Sequence, residues 1–252
     1  MIIKLIFNNR SYQADVSKPL DISLPLKNGS SNPNCYWAEP VKMETIRSED
    51  FVGSVQEGGS VNYQKLTLTP HGNGTHTECY GHISADGATV NQCLTAFHFV
   101  AQLISITPER IANGDLVITR RSIEEKLLDT SAQAVIIRTL PNDDTKRARQ
   151  YSGTNPPYLH HDAAKFLADA GVSHLLMDVP SVDRESDEGR LLAHKAFWNF
   201  PNQIRKTSTI TELIYVDPVI EDGLYLLNLQ ITSLEMDASP SKPVLYKLAE
   251  VL

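Results

Sequence analysis

The 252-residue sequence predicts an α/β fold. Short apolar runs typical of strands recur along the chain, and helical patterns separate those of its second half. The order strand, helix, strand across residues 134–178 is typical of α/β organisation. Because no internal repeat or long flexible linker divides the chain, residues 1–252 are expected to form a single domain.

The N-terminal third is expected to be mostly β. Residues 1–7 form a first strand, and residues 61–68 alternate apolar and polar side chains as half-buried strands do. Residues 28–34, Asn-Gly-Ser-Ser-Asn-Pro-Asn, are typical of a loop. The aromatic pair Tyr36 and Trp37 that follows is expected either to pack or to line the mouth of a pocket.

The rest of the chain alternates strands and helices. Strands are predicted at the apolar runs 103–106, 115–119, 134–139, 174–178 and 224–229. One helix is predicted to begin at Ser122, where Glu125 would complete a capping box. A second helix follows Pro156 and Pro157 and ends at Gly171, since proline favours the start of a helix and glycine its end.

Composition excludes several classes of function. A formal net charge of -7 lacks the electrostatic footprint of a nucleic-acid-binding protein, and no apolar run approaches the roughly 20 residues that span a bilayer. Three cysteines do not indicate a disulfide framework, so a cytoplasmic location is expected. Any metal site must therefore use imidazole and carboxylate, which favours a catalytic ion over a structural zinc.

The strongest functional signal is residues 70–83, Pro-His-Gly-Asn-Gly-Thr-His-Thr-Glu-Cys-Tyr-Gly-His-Ile. In an extended chain His76 and Glu78 point to the same side, about 7 Å apart, where both can bind one ion. His82 has the same parity, although Gly81 can turn the chain before it. Imidazole with carboxylate suits zinc, manganese or iron(II), and such an ion lowers the pKa of its water from about 15.7 to about 7. The alternative is a solvated turn whose histidines are incidental.

Gly74-Thr75-His76-Thr77-Glu78, followed by His82, resembles the His-x-Gly-Thr-His-x-Asp-x-Pro-x-His motif of the cyclase-like metal-dependent hydrolases. That family includes bacterial kynurenine formamidase (arylformamidase) and isatin hydrolase. Residues 178–183 resemble its Asp-x-Pro-Ser-x-Asp signature, and residues 21–26 its N-terminal opening. The resemblance covers most of the chain and implies a swivelling β/β/α cyclase-like domain that forms a homodimer or a higher homo-oligomer.

The resemblance also implies roles for individual residues. Family members bind one or two divalent ions, here expected to be zinc or manganese. His76, His194 and Glu212 match ligand positions, and Glu78 matches a carboxylate that can bridge two ions. His82 takes the place of the histidine proposed as general acid/base.

The position of His71 departs from the family pattern. The leading histidine of the motif stands four residues before His76, where this chain has Gly72. A shift of one residue in a strand moves a side chain to the other face. His71 is still expected among the metal ligands, provided that residues 72–74 form a bulge, which glycine and asparagine permit.

Three further departures indicate a divergent branch. Glu78 replaces the usual aspartate and Tyr80 the usual proline. The stretch between His194 and Glu212 is long, and its residues 197–206 either reshape the pocket or form a surface loop.

Other candidates are less favoured as ligands. The run His160-His161-Asp162 is expected to be an exposed face, because adjacent helical residues do not point the same way. His98 and His174 are expected to be structural, and Cys79 to be buried. Asp178 and Asp183 are expected either to orient a ligating histidine or to cap a turn.

These observations predict a hydrolase that uses a metal-activated water to cleave an amide, formamide or cyclic amide bond of a small molecule. Such a reaction acts on a non-peptide C–N bond and is arylformamidase-like. One alternative is a metal-dependent lyase or cyclase that uses the same site. Another is a non-catalytic small-molecule binding protein, which the shift of His71 motivates. The sequence has no Gly-x-Ser-x-Gly elbow, which counts against a serine hydrolase.

Overall fold

The computed structural model describes residues 1–251. Its strands are β1 (Ile2–Phe7), β2 (Arg10–Asp15), β3 (Leu20–Asp21), β4 (Lys42–Thr45), β5 (Arg47–Ser48), β6 (Phe51–Val52), β7 (Gln64–Thr67), β8 (His76–Glu78), β9 (His98–Ile106), β10 (Glu109–Arg110), β11 (Leu116–Ile118), β12 (Ala134–Thr139), β13 (Tyr158–Leu159), β14 (His174–Met177), β15 (Thr209–Glu212), β16 (Gly223–Ile231), β17 (Ala238–Lys247) and β18 (Ala249–Val251). Its α-helices are α1 (Pro70–Asn73), α2 (Val90–Cys93), α3 (Arg120–Glu124), α4 (His161–Asp169) and α5 (Leu192–Trp198). Short 3-10 turns lie at Val55–Glu57, Tyr80–Ile83 and Asp144–Ala148.

A closed, barrel-like sheet of seven strands organises the fold. The strands follow the order β16, β9, β12, β14, β15, β8 and β17, and β17 pairs back onto β16. The neighbours from β9 to β15 run parallel, whereas β8, β17 and β16 complete the ring with antiparallel pairings. The α/β prediction is therefore confirmed, with a mixed sheet.

The two faces of this sheet contribute to different parts of the core. Strand β12 is buried along its whole length, as expected for a parallel strand covered on both sides. Its Ile137 belongs to the cluster that includes Leu167 of α4 and Phe197 of α5. Its neighbour Ile136 belongs to the cluster that also holds Leu227, on the inner side of the ring. Alternation along each strand thus separates a helix-covered face from an inner face.

Helix α3 begins earlier than the sequence pattern predicts. Its N-cap is Thr119, and Ser122 is the third helical residue, so the predicted box of Ser122 with Glu125 is wrong. The Thr119 hydroxyl accepts from the Ser122 amide at 3.2 Å, and the Ser122 hydroxyl accepts from the Thr119 amide at 3.1 Å. The N-cap and the third helical position are thus both hydroxyl residues, and a helix that starts here places Ile123 in the core.

The other predicted elements are present with altered bounds. Helix α4 begins at His161, because the strand β13 and the N-cap His160 follow the prolines, so its predicted start is wrong. Its predicted end is confirmed, since Gly171 has a φ of +86°, the left-handed conformation that ends helices. The strand predicted at 61–68 is shorter, Gln64–Thr67, and its residues are exposed where it pairs with β4. Within residues 1–251, no helix combines the length and apolar character that crossing a bilayer requires.

Candidate metal centre

Strand β8 places His76 and Glu78 on the same face, as their spacing predicts. The antiparallel pairing of β8 with β15 sets Glu212 directly opposite His76, and such partners share a face of the sheet. The His76 Nε2 atom lies 3.4 Å from Glu212 Oε2. Thr77 points to the inner face, where its hydroxyl is 2.8 Å from that of Thr211. The register of two strands far apart in sequence thus brings these three side chains together.

His194 reaches the same place from helix α5. The Asp183 carboxylate accepts from the amides of Ala193 and His194 at the start of the helix, at 2.7 and 3.1 Å. It also lies 2.6 Å from His194 Nδ1. The opposite ring nitrogen, Nε2, lies 3.0 Å from Glu78 Oε1 and 4.0 Å from Glu212 Oε1. Asp183 therefore both caps α5 and orients the histidine, so both functions considered for it apply.

His71 reaches the cluster through a helical turn, and the bulge expected at residues 72–74 is wrong. Helix α1 begins at Pro70 and turns His71 inward, so that its Nε2 atom lies 3.4 Å from Glu78 Oε2. Gly72 cannot carry a ligand in this backbone, because a Cβ atom there would lie 2.3 Å from Ala38 Cβ. The neighbouring position 71 is the one that faces the cluster.

His82 lies on the 3-10 turn Tyr80–Ile83, at the rim of the cluster. Its Nδ1 atom is 3.9 Å from Glu78 Oε2, and its ring stacks on that of His71 with centroids 4.5 Å apart. The turn requires Gly81, because a Cβ atom there would lie 2.0 Å from the Ala88 carbonyl oxygen. His82 is therefore held near the other histidines but remains partly exposed.

Sequence reasoning missed Asp237, which directly precedes β17. Its Oδ2 atom lies 3.1 Å from His71 Nε2 and 3.1 Å from His82 Nδ1. No motif marks this aspartate, and it reaches the cluster only because Ala238 pairs with Glu78 across the sheet.

The donor atoms of this cluster fit a divalent cation. Among the described residues, five buried side-chain polar atoms have no hydrogen-bond partner, and three of these are His71 Nε2, His76 Nε2 and Glu78 Oε2. Buried polar groups are rarely left unpaired, so three together fit the role of ligands to a bound cation. Within this cluster two sets of ligand atoms lie mutually within 4.8 Å, His71 with Glu78 and His82, and His76 with Glu78 and Glu212. Both sets share Glu78, which is compatible with one ion or with two.

Electrostatics favour ionised carboxylates in this buried site. Burial by itself raises the pKa of Glu78, but the imidazoles of His82, His194 and His71 hold that pKa well below its usual value. Burial lowers the pKa of His194, and contacts with Asp183 and Glu78 overcome this and raise it well above its usual value. The pKa of His71 is likewise lowered by burial but raised to about 10 by Asp237 and Glu78. A cation that binds here displaces these protons, so binding depends on pH.

A cavity of about 220 Å³ opens above the cluster. Besides the histidines and carboxylates, its wall includes Tyr36, Ser181, Arg184 and Leu191. Of the aromatic pair, Tyr36 thus lines the cavity, whereas Trp37 does not and is 74% exposed. The volume suits part of a small organic molecule rather than a polymer.

Residues 197–206 are not simply a surface loop. Phe197 and Trp198 are the last residues of α5 and are fully buried. The Trp198 indole donates to the Ser208 carbonyl at 2.9 Å, and its ring lies 5.4 Å from that of His194. The start of this stretch therefore packs beside the ring of His194.

The remaining candidates lie away from the cluster. His161 is exposed, as expected, whereas His160 is half-buried. His160 is the N-cap of α4 and not a helical residue, so the two rings lie close, with centroids 4.3 Å apart. Their ligand atoms and that of Asp162 lie within 4.8 Å of one another, contrary to the expectation that the two histidines point apart. His174 is buried with Nδ1 2.8 Å from the Thr209 hydroxyl. Cys79 is buried in the core. Asp178 contacts Lys146 and Thr139 instead of a histidine of the site.

Replacing Asp183 by asparagine should weaken metal binding by about 10- to 100-fold, because the carboxylate that orients His194 loses its charge. Competition with a chromophoric chelator measures this affinity. Glu188→Gln on the same loop is the control, since Glu188 is exposed and contacts Arg190. Equal affinity in Asp183→Asn and the wild type would contradict the orienting role.

Several known proteins are similar to this chain in sequence or in structure. The family model described as "Putative cyclase" matches residues 20–184. The kynurenine formamidase of Bacillus anthracis is 28% identical over 231 residues, which cover 91% of this chain and 97% of that protein. The kynurenine formamidase of Delftia acidovorans is 28% identical over 220 residues, covering 86% and 96%. The structure of isatin hydrolase A from Labrenzia aggregata superimposes with a TM-score of 0.65 at 15% identity, covering 91% of this chain and 93% of that one. The expected cyclase-like α/β fold is thereby confirmed.

Proposed function

This chain belongs to the Cyclase family, and from that membership we propose that it is a metal-dependent hydrolase of small molecules. It cleaves an amide, formamide or cyclic amide bond, as the names of its kynurenine formamidase and isatin hydrolase relatives indicate for those proteins. The observation that carries the proposal is the convergence of three buried, unpartnered atoms, His71 Nε2, His76 Nε2 and Glu78 Oε2, beneath a cavity.

The proposed ligands of the ion are His71, His76, Glu78, His194 and Glu212. When bound, one or two ions of zinc or manganese supply a Lewis acid for the substrate carbonyl and a water that ionises near neutral pH. Glu78 directs Oε1 toward His194 and Oε2 toward His71, so its one carboxylate contacts histidines on both sides of the cluster.

His82 is the proposed general acid/base. It lines the cavity and is partly exposed, so one of its ring nitrogens is available to a bound substrate. In this role it accepts a proton and donates it to the nitrogen that leaves when the C–N bond breaks. Asp183 acts through His194 by fixing the orientation of its ring.

The hydrolase proposal is favoured over its alternatives. The shift of His71 motivated a binding protein without catalysis, but helix α1 turns this histidine into the cluster. A lyase or cyclase would use the same donors, and nothing in the part of the chain that the structure describes favours that reaction over hydrolysis.

We further propose that residues 1–252 act as one domain in the cytoplasm and form a homodimer or higher homo-oligomer. The oligomeric part of this proposal rests on the resemblance to the cyclase-like hydrolases. The net charge of -7 supports a small-molecule substrate over nucleic acid.

A substrate screen tests the proposed function. The protein is stripped with a chelator, dialysed and reloaded with Zn(II) or Mn(II), and then offered N-formyl arylamines, isatin-like lactams and cyclic imides. We expect hydrolysis of at least one compound class by the loaded protein and a loss of at least about 100-fold in the stripped protein. Full activity of the metal-free protein would refute the proposal, as would elemental analysis that finds no retained or restorable metal.

A further inference from the structure

Asp237 is held beside the histidines of the site by the backbone of the sheet. Its backbone carbonyl accepts at 3.0 Å from the amide of Cys79, the residue that follows Glu78. The next residue, Ala238, pairs with Glu78 across β8 and β17. The carboxylate therefore starts from a rigid position at the edge of the cluster.

The two histidine contacts of Asp237 differ in kind. Its Oδ2 atom lies 3.1 Å from both His71 Nε2 and His82 Nδ1. The contact with His82 has hydrogen-bond geometry. The contact with His71 Nε2 lacks hydrogen-bond geometry, so this nitrogen remains one of the unpartnered buried atoms, near Glu78 Oε2. His71 is thus directed to the ion site, whereas His82 is directed to Asp237.

A histidine on a short turn at the rim of a cavity needs a partner to fix its ring. His82 belongs to a four-residue 3-10 turn, and its side chain is 30% exposed. In a neutral imidazole one ring nitrogen donates and the other accepts, and the partner of the first nitrogen selects the tautomer. With Nδ1 donating to Asp237, Nε2 remains as the basic nitrogen.

The carboxylate is suited to this task because one of its oxygens lies in hydrogen-bond geometry with His82 Nδ1. A hydrogen bond to a charged acceptor is stronger than one between neutral groups, so the orientation of the ring is well defined.

We propose that Asp237 is the positioning residue of His82, which it holds with Nδ1 protonated and Nε2 free for proton transfer in the cavity. Water adds to the substrate carbonyl carbon, and the C–N bond breaks with its electron pair on nitrogen. Nε2 accepts the proton from water and passes it to that nitrogen, so His82 ends the cycle unchanged. This catalytic part rests on the proposed hydrolase function.

The kinetic test uses the full chain loaded with Zn(II). Asp237→Asn should lower kcat by about 10- to 100-fold, a part of what a general acid/base contributes. We expect KM within about twofold of the wild type and an unchanged zinc content by elemental analysis. Asp237→Glu should recover part of the lost kcat, which a merely structural role would not predict. Asp169→Asn, an exposed aspartate on α4, is the control.

A second measurement separates this inference from the proposed function. In zinc-loaded protein labelled with ¹⁵N-histidine, the NMR shifts of His82 should report the Nδ1-protonated tautomer, and Asp237→Ala should shift the ring toward a mixture of tautomers. This readout holds even if the wild type hydrolyses none of the compounds offered. Loss of zinc in Asp237→Asn would make Asp237 a ligand and overturn the inference. An unchanged kcat or an unchanged His82 tautomer would overturn it as well.

Discussion

Replacing Glu78 by glutamine should lower metal affinity by more than about 100-fold and abolish measurable turnover. Glu78 is 1% exposed, and both of its oxygens face imidazole nitrogens, at 3.0 Å from His194 and 3.4 Å from His71. The glutamine keeps the shape of the side chain but removes the negative charge that a cation requires. Because both sets of ligand atoms share this residue, its loss affects one ion or two alike. Elemental analysis after dialysis, together with steady-state rates, measures the effect.

The matched control for this variant is Glu221→Gln, since Glu221 lies on the surface and contacts Lys247. Circular dichroism of both variants separates metal loss from unfolding. A folded Glu78→Gln protein that retains the metal content and the rate of the wild type would show that Glu78 is not a ligand.

The second large effect is expected for His82→Ala, which should retain the metal and lose about 10²- to 10⁴-fold in kcat. His82 lines the cavity and donates to Asp237, whereas the buried nitrogens of His71 and His76 have no hydrogen-bond partner. Its removal therefore takes away proton transfer and leaves the proposed ligands in place. Zinc content and kcat measured on the same preparation test both parts of this expectation.

The control for this histidine is His161→Ala, because His161 is exposed at the start of α4. His82 also belongs to one of the two sets of potential ligand atoms at the metal centre, whereas His161 belongs to a separate set on α4. A His82→Ala protein that loses its metal would therefore assign His82 to the ligand shell and refute its role as general acid/base.

Local sequence patterns predicted much of the fold and part of the site. The spacing of His76 and Glu78 placed both on one face, because side chains in a strand alternate with a period of two. Gly171 marked the end of α4, since it acts through local backbone geometry, whereas the prolines did not mark its start. These patterns worked where neighbours along the chain decide the conformation.

Local sequence patterns failed to predict the conformation where several local solutions compete. Thr119 and Ser122 are both good N-cap residues, and burial of Ile123 accompanies the choice of Thr119. Residues 72–74 could form a bulge by composition, yet Pro70 begins a helical turn that brings His71 to the cluster by another route. The roles of the clustered residues as ligands remain predictions for the experiments above.

The sequence by itself determined the order of the motifs, the chemistry of the donors and the face of β8 that carries His76 and Glu78. Only the tertiary structure decided that Glu212 lies opposite His76 and that Asp237 contacts His71 and His82. These contacts depend on the register of β8 between β15 and β17. That register is set by the burial of both sheet faces over the whole ring, a property that no local segment of the chain contains.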